Sequence, residues 1–188
     1  MSRKPPPHII RRRRIAGLIV LTILIGLIWW GVSALVSLFS SMFTPSTEVK
    51  TIECAPGTVV VEAFIGDGAK RQSDFDLQTN PELWFTVTNT GKVSCTFNAG
   101  PKAQIYTIRF GQEVIWTNEQ CDRTGLKDAT ITLSPGKPEK AKPSPWLKVY
   151  STPDGCGKGQ AAAFPGIYSF SVKVNNVESK NAETFTLQ

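Results

Sequence analysis

Histidine is almost absent from this sequence: its 188 residues contain one, His8, and that residue lies near the N terminus. Nucleophilic catalysis of the Ser-His-Asp or Cys-His type needs a histidine base, so the rest of the chain offers no candidate for it. Neither a P-loop nor a dinucleotide-binding fingerprint is present. Several acidic residues fall in predicted turns, where solvation accounts for them: Asp67, Asp122 and Asp154. We therefore expect a protein that is not an enzyme and holds no cofactor.

Acidic residues are missing from the first 47 positions, and Glu48 is the first of them. Six basic residues lie within residues 1–14, and removing them from the total of 21 leaves 15 basic against 15 acidic residues. The formal net charge of +6 therefore belongs to the N-terminal tail. Nucleic-acid binding would need a basic face on the folded part of the chain. Nucleic acid is not an expected partner.

Charge is also absent from residues 15–39, where 15 of the 25 residues are Leu, Ile, Val or Phe. A helix of that length measures about 37 Å, which exceeds the ~30 Å hydrocarbon core of a bilayer. The sequence predicts one transmembrane helix over these residues, with the lipid bilayer as a partner. Four arginines precede the helix (Arg11 to Arg14), and by the positive-inside rule they keep the N terminus in the cytoplasm. The C-terminal part is then extracytoplasmic.

Three alternative interpretations of this segment are less well supported. A cleaved signal peptide has a shorter apolar stretch and a small-residue cleavage site, which the sequence lacks. A lipoprotein anchor needs a cysteine at the end of the apolar run, but Cys54 lies well beyond it. The arginine run could imitate a twin-arginine export signal, yet the stretch that follows it is very hydrophobic. An uncleaved signal anchor in the plasma membrane is the prediction.

Metal-binding patterns are missing as well. No C-x-x-C pair exists and no histidine follows the tail, which disfavours zinc. The loop that contains Asp74 and Asp76 lacks the Ca²⁺-loop pattern, so an ordinary polar loop is preferred there. An even number of cysteines in an extracytoplasmic region predicts two disulfides. These cysteines are Cys54, Cys95, Cys121 and Cys156.

After a linker over residues 40–53, residues 54–188 have an alternation of period two in place of helical periodicity. Apolar residues occupy every second position of several short runs separated by turn residues. The runs begin at Val59, Leu83, Tyr106, Val114, Ile131, Tyr168 and Phe185. Such a pattern is typical of half-buried antiparallel strands. We predict an all-β domain, an immunoglobulin-like antiparallel β-sandwich.

The strand count also predicts how the cysteines pair. If successive strands alternate in direction, Cys54 and Cys95 lie at one end of the domain, and Cys121 and Cys156 lie at the other. The count requires the strand over 105–110 to run opposite to the first strand. It pairs Cys54 with Cys95 and Cys121 with Cys156, and each closed loop should stabilise the fold by roughly 4 kcal/mol.

Several turn and core segments resemble the intracellular proteinase inhibitor (BsuPI) family. They are Phe85-Thr86-Val87-Thr88-Asn89-Thr90-Gly91, Gly111 with Val114-Ile115-Trp116, Leu133-Ser134-Pro135-Gly136, Trp146, and Pro165-Gly166-Ile167-Tyr168. With an anchor and added cysteines, the chain is similar to uncharacterised actinobacterial membrane-anchored proteins that carry such a domain. The resemblance implies an immunoglobulin-like sandwich over about residues 54–188. It implies fold more strongly than function.

Three side chains form a possible ligand surface. Trp84 is out of phase with its apolar neighbours, so it either packs beneath a loop, which we prefer, or contacts a ligand. Lys140 and Lys142 belong to a Lys- and Pro-rich stretch over 137–145, which is typical of a protected edge strand. Trp116 is predicted to lie in the core, in phase with Val114.

These observations lead to three hypotheses of function. The first is a non-enzymatic binding or scaffolding module of the cell envelope that engages an envelope protein. The second, motivated by the resemblance, is a proteinase inhibitor that uses a protruding loop, either Gly66–Pro81 or Asp122–Asp128. The third is a cell-wall polymer binder that uses Trp84 or the lysine-rich edge.

Overall fold

The computed structural model of the protein describes residues 52–188 together with Ile23, Gly26 and Leu27, which are helical. The predictions for the tail 1–14, for most of the segment 15–39 and for nearly all of the linker 40–53 lie outside the described residues. Within the described part of the chain, no helix combines the length and hydropathy that a membrane span requires. The C-terminal unit begins at Lys50 and is described by itself below.

The first sheet is built on β1 (Val59–Gly66) and β3 (Glu82–Asn89), which pair antiparallel over their full length. On its other side β3 pairs antiparallel with β8 (Pro138–Lys140) and β9 (Ser144–Pro145). In β1 the apolar residues at alternate positions are buried, as the period of two predicts. These are Val59, Val61, Ala63 and Ile65.

The second sheet has the order β2–β12–β10–β5–β6, with β11 paired to β10. Its strands are β2 (Asp74–Phe75), β5 (Gln104–Phe110), β6 (Glu113–Thr117), β10 (Gly166–Val174), β11 (Val177–Glu178) and β12 (Glu183–Leu187). A small third sheet pairs β4 (Cys95–Asn98) with β7 (Thr130–Leu133). Two 3₁₀ helices complete the described elements, Pro101–Ala103 and Asn118–Gln120.

The core lies between the two larger sheets. Phe85 of the first sheet meets Tyr106 of the second with ring centroids 6.2 Å apart, and Tyr106 meets Phe170 at 5.6 Å. Trp146, which follows β9, is completely buried, and its indole Nε1 donates a 3.1 Å hydrogen bond to the carbonyl of Val149. Large aromatic side chains dominate the buried area and its free energy. The prediction of an all-β fold is confirmed for this part of the chain.

The prediction that Val114 and Trp116 share a face is wrong. Ile108 pairs with Trp116 whereas Arg109 pairs with Val114, so Ile115 is an extra residue in β6. This β-bulge reverses the alternation, because two consecutive residues then oppose one on the partner strand. Ile115 and Trp116 are both buried, and Val114 is exposed.

Two strand directions in the count are also wrong, that of β5 and that of β6, which is antiparallel to β5. The segment that follows β11 runs parallel to β1, where Ser179 bridges Val61, while β11 runs antiparallel to β10. Since β5 is antiparallel to β10, β5 runs in the same direction as β1. The reason lies in the segment after β4. The chain passes from this short strand through the 3₁₀ helix Pro101–Ala103, where the carbonyl of Ala103 accepts a hydrogen bond from the backbone N–H of Asn175, beside the end of β10. It enters β5 there without crossing the domain.

Both edges of the first sheet are protected. At β1, the side-chain amide of Asn181 accepts from the backbone N–H of Ala63 and donates to its carbonyl, both at 3.0 Å. At the opposite edge, Thr86 pairs with Lys140 whereas Leu83 pairs with Ser144, which leaves one extra residue in the outer strand. A bulge together with prolines at an edge discourages pairing with another chain.

Candidate functional site

All four cysteines form disulfides, and none is free. Cys54 pairs with Cys95 and Cys121 pairs with Cys156, each with a Cα–Cα distance of 4.8 Å. This is the predicted pairing, although the strand count behind it has the wrong direction for both β5 and β6. The second disulfide is also tied to the core, because Nε1 of Trp116 donates a 3.0 Å hydrogen bond to the carbonyl of Cys156.

Trp84 does not provide an exposed ligand contact, and its place in the predicted ligand surface is corrected here. Its side chain is 4% exposed and stacks on Phe64, with ring centroids 6.0 Å apart. Lys140 covers the ring from outside, with Nζ 4.5 Å from the centroid. The same Nζ donates to the carbonyl of Gly68, so Lys140 is engaged within the domain. The structure thus agrees with the preferred alternative, in which Trp84 packs beneath a loop.

Lys142, the third residue of that predicted surface, lines a cleft of about 660 Å³ on another part of the domain. The cleft lies where β5 and β6 face the stretch around β9. Tyr106 and Trp116 form its floor and are almost completely buried. Its walls are mostly apolar and include the second disulfide. The apolar wall residues are Pro101, Cys121, Leu126, Pro143, Pro145, Leu147 and Cys156, and the lining also includes Gln104, Asn118, Ser144 and Gly157.

The wall that carries Leu126 belongs to one of the two loops considered for proteinase inhibition, Asp122–Asp128. Arg123 holds this loop against the domain, because its guanidinium donates to four backbone carbonyls at 2.7–3.4 Å. The acceptors are Gln104, Asn118, Pro101 and Lys102. A planar guanidinium can satisfy several carbonyls at once. The loop is therefore a fixed wall of the cleft.

The other loop considered, Gly66–Pro81, is fastened at several points. The carboxylate of Asp76 accepts from the backbone N–H groups of Gln78 and Thr79, and these bonds lower the pKa of Asp76. Nζ of Lys148 donates to the carbonyls of Leu77 and Thr79 at 2.8 and 2.9 Å. Leu77 is 57% exposed. The loop thus presents one apolar side chain on a restrained backbone.

Basic residues outnumber acidic ones around the cleft. Residues 52–188 carry 14 basic and 14 acidic residues. Five of the basic ones line the cleft or stand next in sequence to a residue that lines it: Lys102, Lys127, Lys142, Lys148 and Lys158. Only two acidic residues, Glu119 and Asp122, stand in such positions. The cleft thus has a largely apolar interior, and we call these five lysines, of which Lys142 lines the cleft itself, its rim.

The cleft lining is poor in ionisable side chains. Among residues 52–188 no cluster of three or more His, Cys, Asp or Glu side chains is placed to hold a metal ion. The cleft itself is lined by no acidic side chain, and Lys142 is its one ionised lining residue. Burial raises the pKa of Tyr106 above its ordinary value near 10, so its phenol stays neutral at physiological pH.

Most cleft residues were missed by sequence reasoning. Tyr106 and Trp116 were assigned to the core, Leu126 was part of a loop, and Leu147 carried no pattern. They come from separate segments, which only the tertiary fold brings together. The available signal was indirect: the Lys- and Pro-rich stretch 137–145 marks an edge beside an open side of the domain.

Comparison with known proteins does not identify the chain. No protein-family model matches it, and no curated protein matches it significantly. Among solved structures it is similar to a DNA-bound alkylpurine DNA glycosylase from Pseudomonas fluorescens, with 14% identity and a TM-score of 0.39. It is also similar to β-glucosidases from Erythrobacter marinus (15% identity, TM-score 0.40) and from Listeria innocua (8%, 0.39).

These alignments cover 70%, 69% and 69% of this chain but only 30%, 15% and 16% of the respective relatives. The chain therefore spans less than a third of the length of the structures that it matches. At such TM-scores the similarities carry no argument about fold or activity. The resemblance to the intracellular proteinase inhibitor family gains no support from them and stays a prediction.

Proposed function

We propose that the protein is a non-enzymatic binding module of the cell envelope. In this proposal residues 15–39 span the plasma membrane once, the tail 1–14 stays in the cytoplasm, and residues 54–188 form an immunoglobulin-like β-sandwich outside it. The uncharged apolar stretch and the arginines before it support the anchor and its orientation. The two packed sheets, antiparallel except for the pair β2–β12, and the buried Trp146 support the type of sandwich.

The disulfides support the extracytoplasmic location. Disulfides persist in oxidising compartments and are rare in the cytosol, where thiols are kept reduced. Here every cysteine is paired, and one pair forms part of a cleft wall.

The cleft beside the second disulfide is the observation that carries the proposal. Its volume of about 660 Å³ lies in the range of ligand sites, ~300–1,000 Å³. Apolar walls with one lining charge suit the docking of a partner's side chains, and the lining contains no Asp, Glu or His. An envelope protein is the preferred partner over a wall polymer, because the ring of Trp84 is covered from within the domain.

Photo-crosslinking in the native membrane tests this function. A photo-reactive residue at Leu147 of the full-length protein should capture one envelope protein. The same residue at Lys92, which is exposed and does not line the cleft, is the control and should not capture it. Hydrolase activity of the purified protein that disappears on changing one carboxylate would contradict the proposal, and so would the absence of capture from Leu147.

The restrained loop Gly66–Pro81 favours proteinase inhibition as a second candidate function. An exposed apolar residue on a backbone held by Asp76 and Lys148 can enter a protease and resist cleavage. Leu77 suits an apolar specificity pocket of the subtilisin type better than an acidic one of the trypsin type. The purified protein should then inhibit a subtilisin-like enzyme at micromolar concentration. Leu77→Ala should weaken this inhibition and Leu126→Ala should leave it unchanged; no inhibition of either enzyme class would count against this candidate.

A further inference from the structure

We propose that the cleft binds an acidic segment of a partner polypeptide. One apolar side chain of the segment enters between Leu126 and Leu147, and its carboxylates meet the lysines at the rim. This inference rests on the proposed binding function and adds the chemical class of the ligand.

The interior of the cleft suits one apolar side chain. Leu126 and Leu147, which reach the wall from separate segments of the chain, are 36% and 39% exposed, so water covers a substantial part of both. Burying apolar area releases roughly 25 cal/mol per Å², and the best anchors of an interface fill pockets of this kind. The prolines of the wall and the disulfide add rigid apolar surface. A rigid wall costs little entropy when a ligand binds.

The rim lacks counterions for several of its cations. Lys102 pairs with Asp128 at 3.5 Å, and Lys148 donates to loop carbonyls. The remaining three, Lys127, Lys142 and Lys158, have neither an ion pair nor a side-chain hydrogen bond within residues 52–188. Since residues 52–188 are formally neutral as a whole, this excess of positive charge is local to the cleft. Such a rim favours a negatively charged partner and speeds its association.

The backbone around the cleft argues against recognition by strand addition. Strand addition needs a continuous row of free N–H and C=O groups along an edge. The stretch beside the cleft has prolines at 138, 143 and 145, which donate no hydrogen bond, and an extra residue between Lys140 and Ser144. The partner is therefore recognised through its side chains.

A polypeptide fits the cleft better than an anionic wall polymer does. Sugar and polyol-phosphate chains are polar and offer no large apolar side chain to the interior. Sugar rings would need an exposed aromatic face, but Tyr106 and Trp116 show only 5% and 7% of their surfaces. Anionic polymers would be attracted by the rim alone.

Selection from a random displayed peptide library against the full-length protein in detergent micelles tests the proposal. The expected winners contain a Leu, Ile, Phe or Met flanked by Asp or Glu, and the strongest one becomes a fluorescent probe. We expect Lys127→Glu combined with Lys142→Glu to weaken probe binding by about tenfold, and Leu147→Asp by at least that much. Lys92→Glu, at an exposed site off the cleft, should change it less than about twofold. All variants should keep the wild-type unfolding midpoint.

Several results would overturn the proposal. In two of them, the selected peptides lack acidic residues, or no peptide is enriched. In two others, the probe keeps its affinity when alanine replaces its apolar residue, or inorganic polyphosphate fully displaces a probe that lacks this residue. If one of these occurs while crosslinking from Leu147 still captures an envelope protein, the acidic-peptide proposal fails and the binding function stands. If crosslinking fails too, both fail.

Discussion

Nζ of Lys140 lies 4.5 Å from the ring centroid of Trp84 and donates a 2.8 Å hydrogen bond to the carbonyl of Gly68. One ammonium group thus joins the outer face of the first sheet to the loop that follows β1. Over the other ring of the aromatic pair, Cζ of Arg71 stands 4.9 Å from the centroid of Phe64, and Arg71 forms an ion pair with Glu183. The loop 67–71 therefore closes over Phe64 and Trp84, which makes these rings part of the packing.

The first prediction separates packing from binding at Trp84. Trp84→Ala should lower the free energy of unfolding by about 3 kcal/mol, since it removes a large buried ring. Lys140→Gln should lower it by about 0.5–1 kcal/mol, as expected for an exposed cation–π contact. Urea unfolding followed by near-UV circular dichroism measures both. Lys142→Gln is the matched control and should have no effect on stability. Unchanged stability in Trp84→Ala would return this residue to the ligand surface.

The second prediction concerns Asn181, whose side chain takes the place of a neighbouring strand at β1. Asn181→Asp keeps the acceptor for Ala63 N–H but loses the donor for Ala63 C=O, and it places a second carboxylate beside Glu183. An unsatisfied, partly buried backbone group costs ~1–3 kcal/mol. We expect Asn181→Asp to destabilise at least as much as Asn181→Ala at pH 7, in the same urea assay. Equal stability of Asn181→Asp and wild type would show that the edge is satisfied by other groups.

The third prediction concerns alkaline stability and Tyr106. Burial favours the neutral phenol and raises its pKa in the folded state, so the unfolded chain loses this proton first, at an ordinary value near 10. The stability that Tyr106 contributes through its neutral phenol is fully present below pH 10 and is lost as the pH rises from there toward the folded-state pKa. Tyr106→Phe should therefore show a shallower loss of stability above pH 10. A residual loss is expected, because burial also raises the pKa of Tyr168.

Thermal unfolding midpoints measured between pH 7 and pH 11 check this. At pH 7 the variant loses one hydrogen bond to the side chain of Gln104, so it should start slightly less stable than wild type. Its curve and the wild-type curve should approach each other as the pH rises. Parallel curves would mean that Tyr106 titrates alike in the folded and unfolded states.

Much of the sheet structure could be predicted from the sequence because alternation directly reflects burial. β1, β3 and β10 have an apolar residue at every second position, and the structure buries those residues. Alternation fails where the backbone is irregular: the bulge at Ile115 shifts Val114 to the surface, and nothing local in the sequence marks it. The predicted directions of β5 and β6 failed for a related reason, since alternation does not say whether a short strand such as β4 crosses the domain.

The candidate site was far less predictable than the fold. Lys142 was singled out for its charge, yet the apolar walls beside it come from stretches that are distant in the chain. Trp84 shows the converse. Its phase gave the correct face of β3, but a polar loop without any apolar pattern covers it. Such contacts depend on tertiary placement, which periodicity does not encode.

The last prediction uses the two disulfides as matched controls of each other. Their sequence separations are 41 and 35 residues, so the chain-entropy model assigns each roughly 4 kcal/mol. Replacing both cysteines of either pair by serine should therefore lower the free energy of unfolding by similar amounts, measured in urea without reductant. Their effects on the cleft should differ, because Cys121 and Cys156 form part of its wall and Cys54 and Cys95 do not.

Photo-crosslinking from Leu147, at a temperature where both variants are folded, should accordingly fall in Cys121→Ser/Cys156→Ser and persist in Cys54→Ser/Cys95→Ser. The carbonyl of Cys156 also accepts the hydrogen bond from Trp116, so loss of the second disulfide should loosen the floor of the cleft as well as its wall. Loss of crosslinking in Cys54→Ser/Cys95→Ser, with Cys121→Ser/Cys156→Ser unaffected, would place the partner at the first disulfide and argue against this cleft.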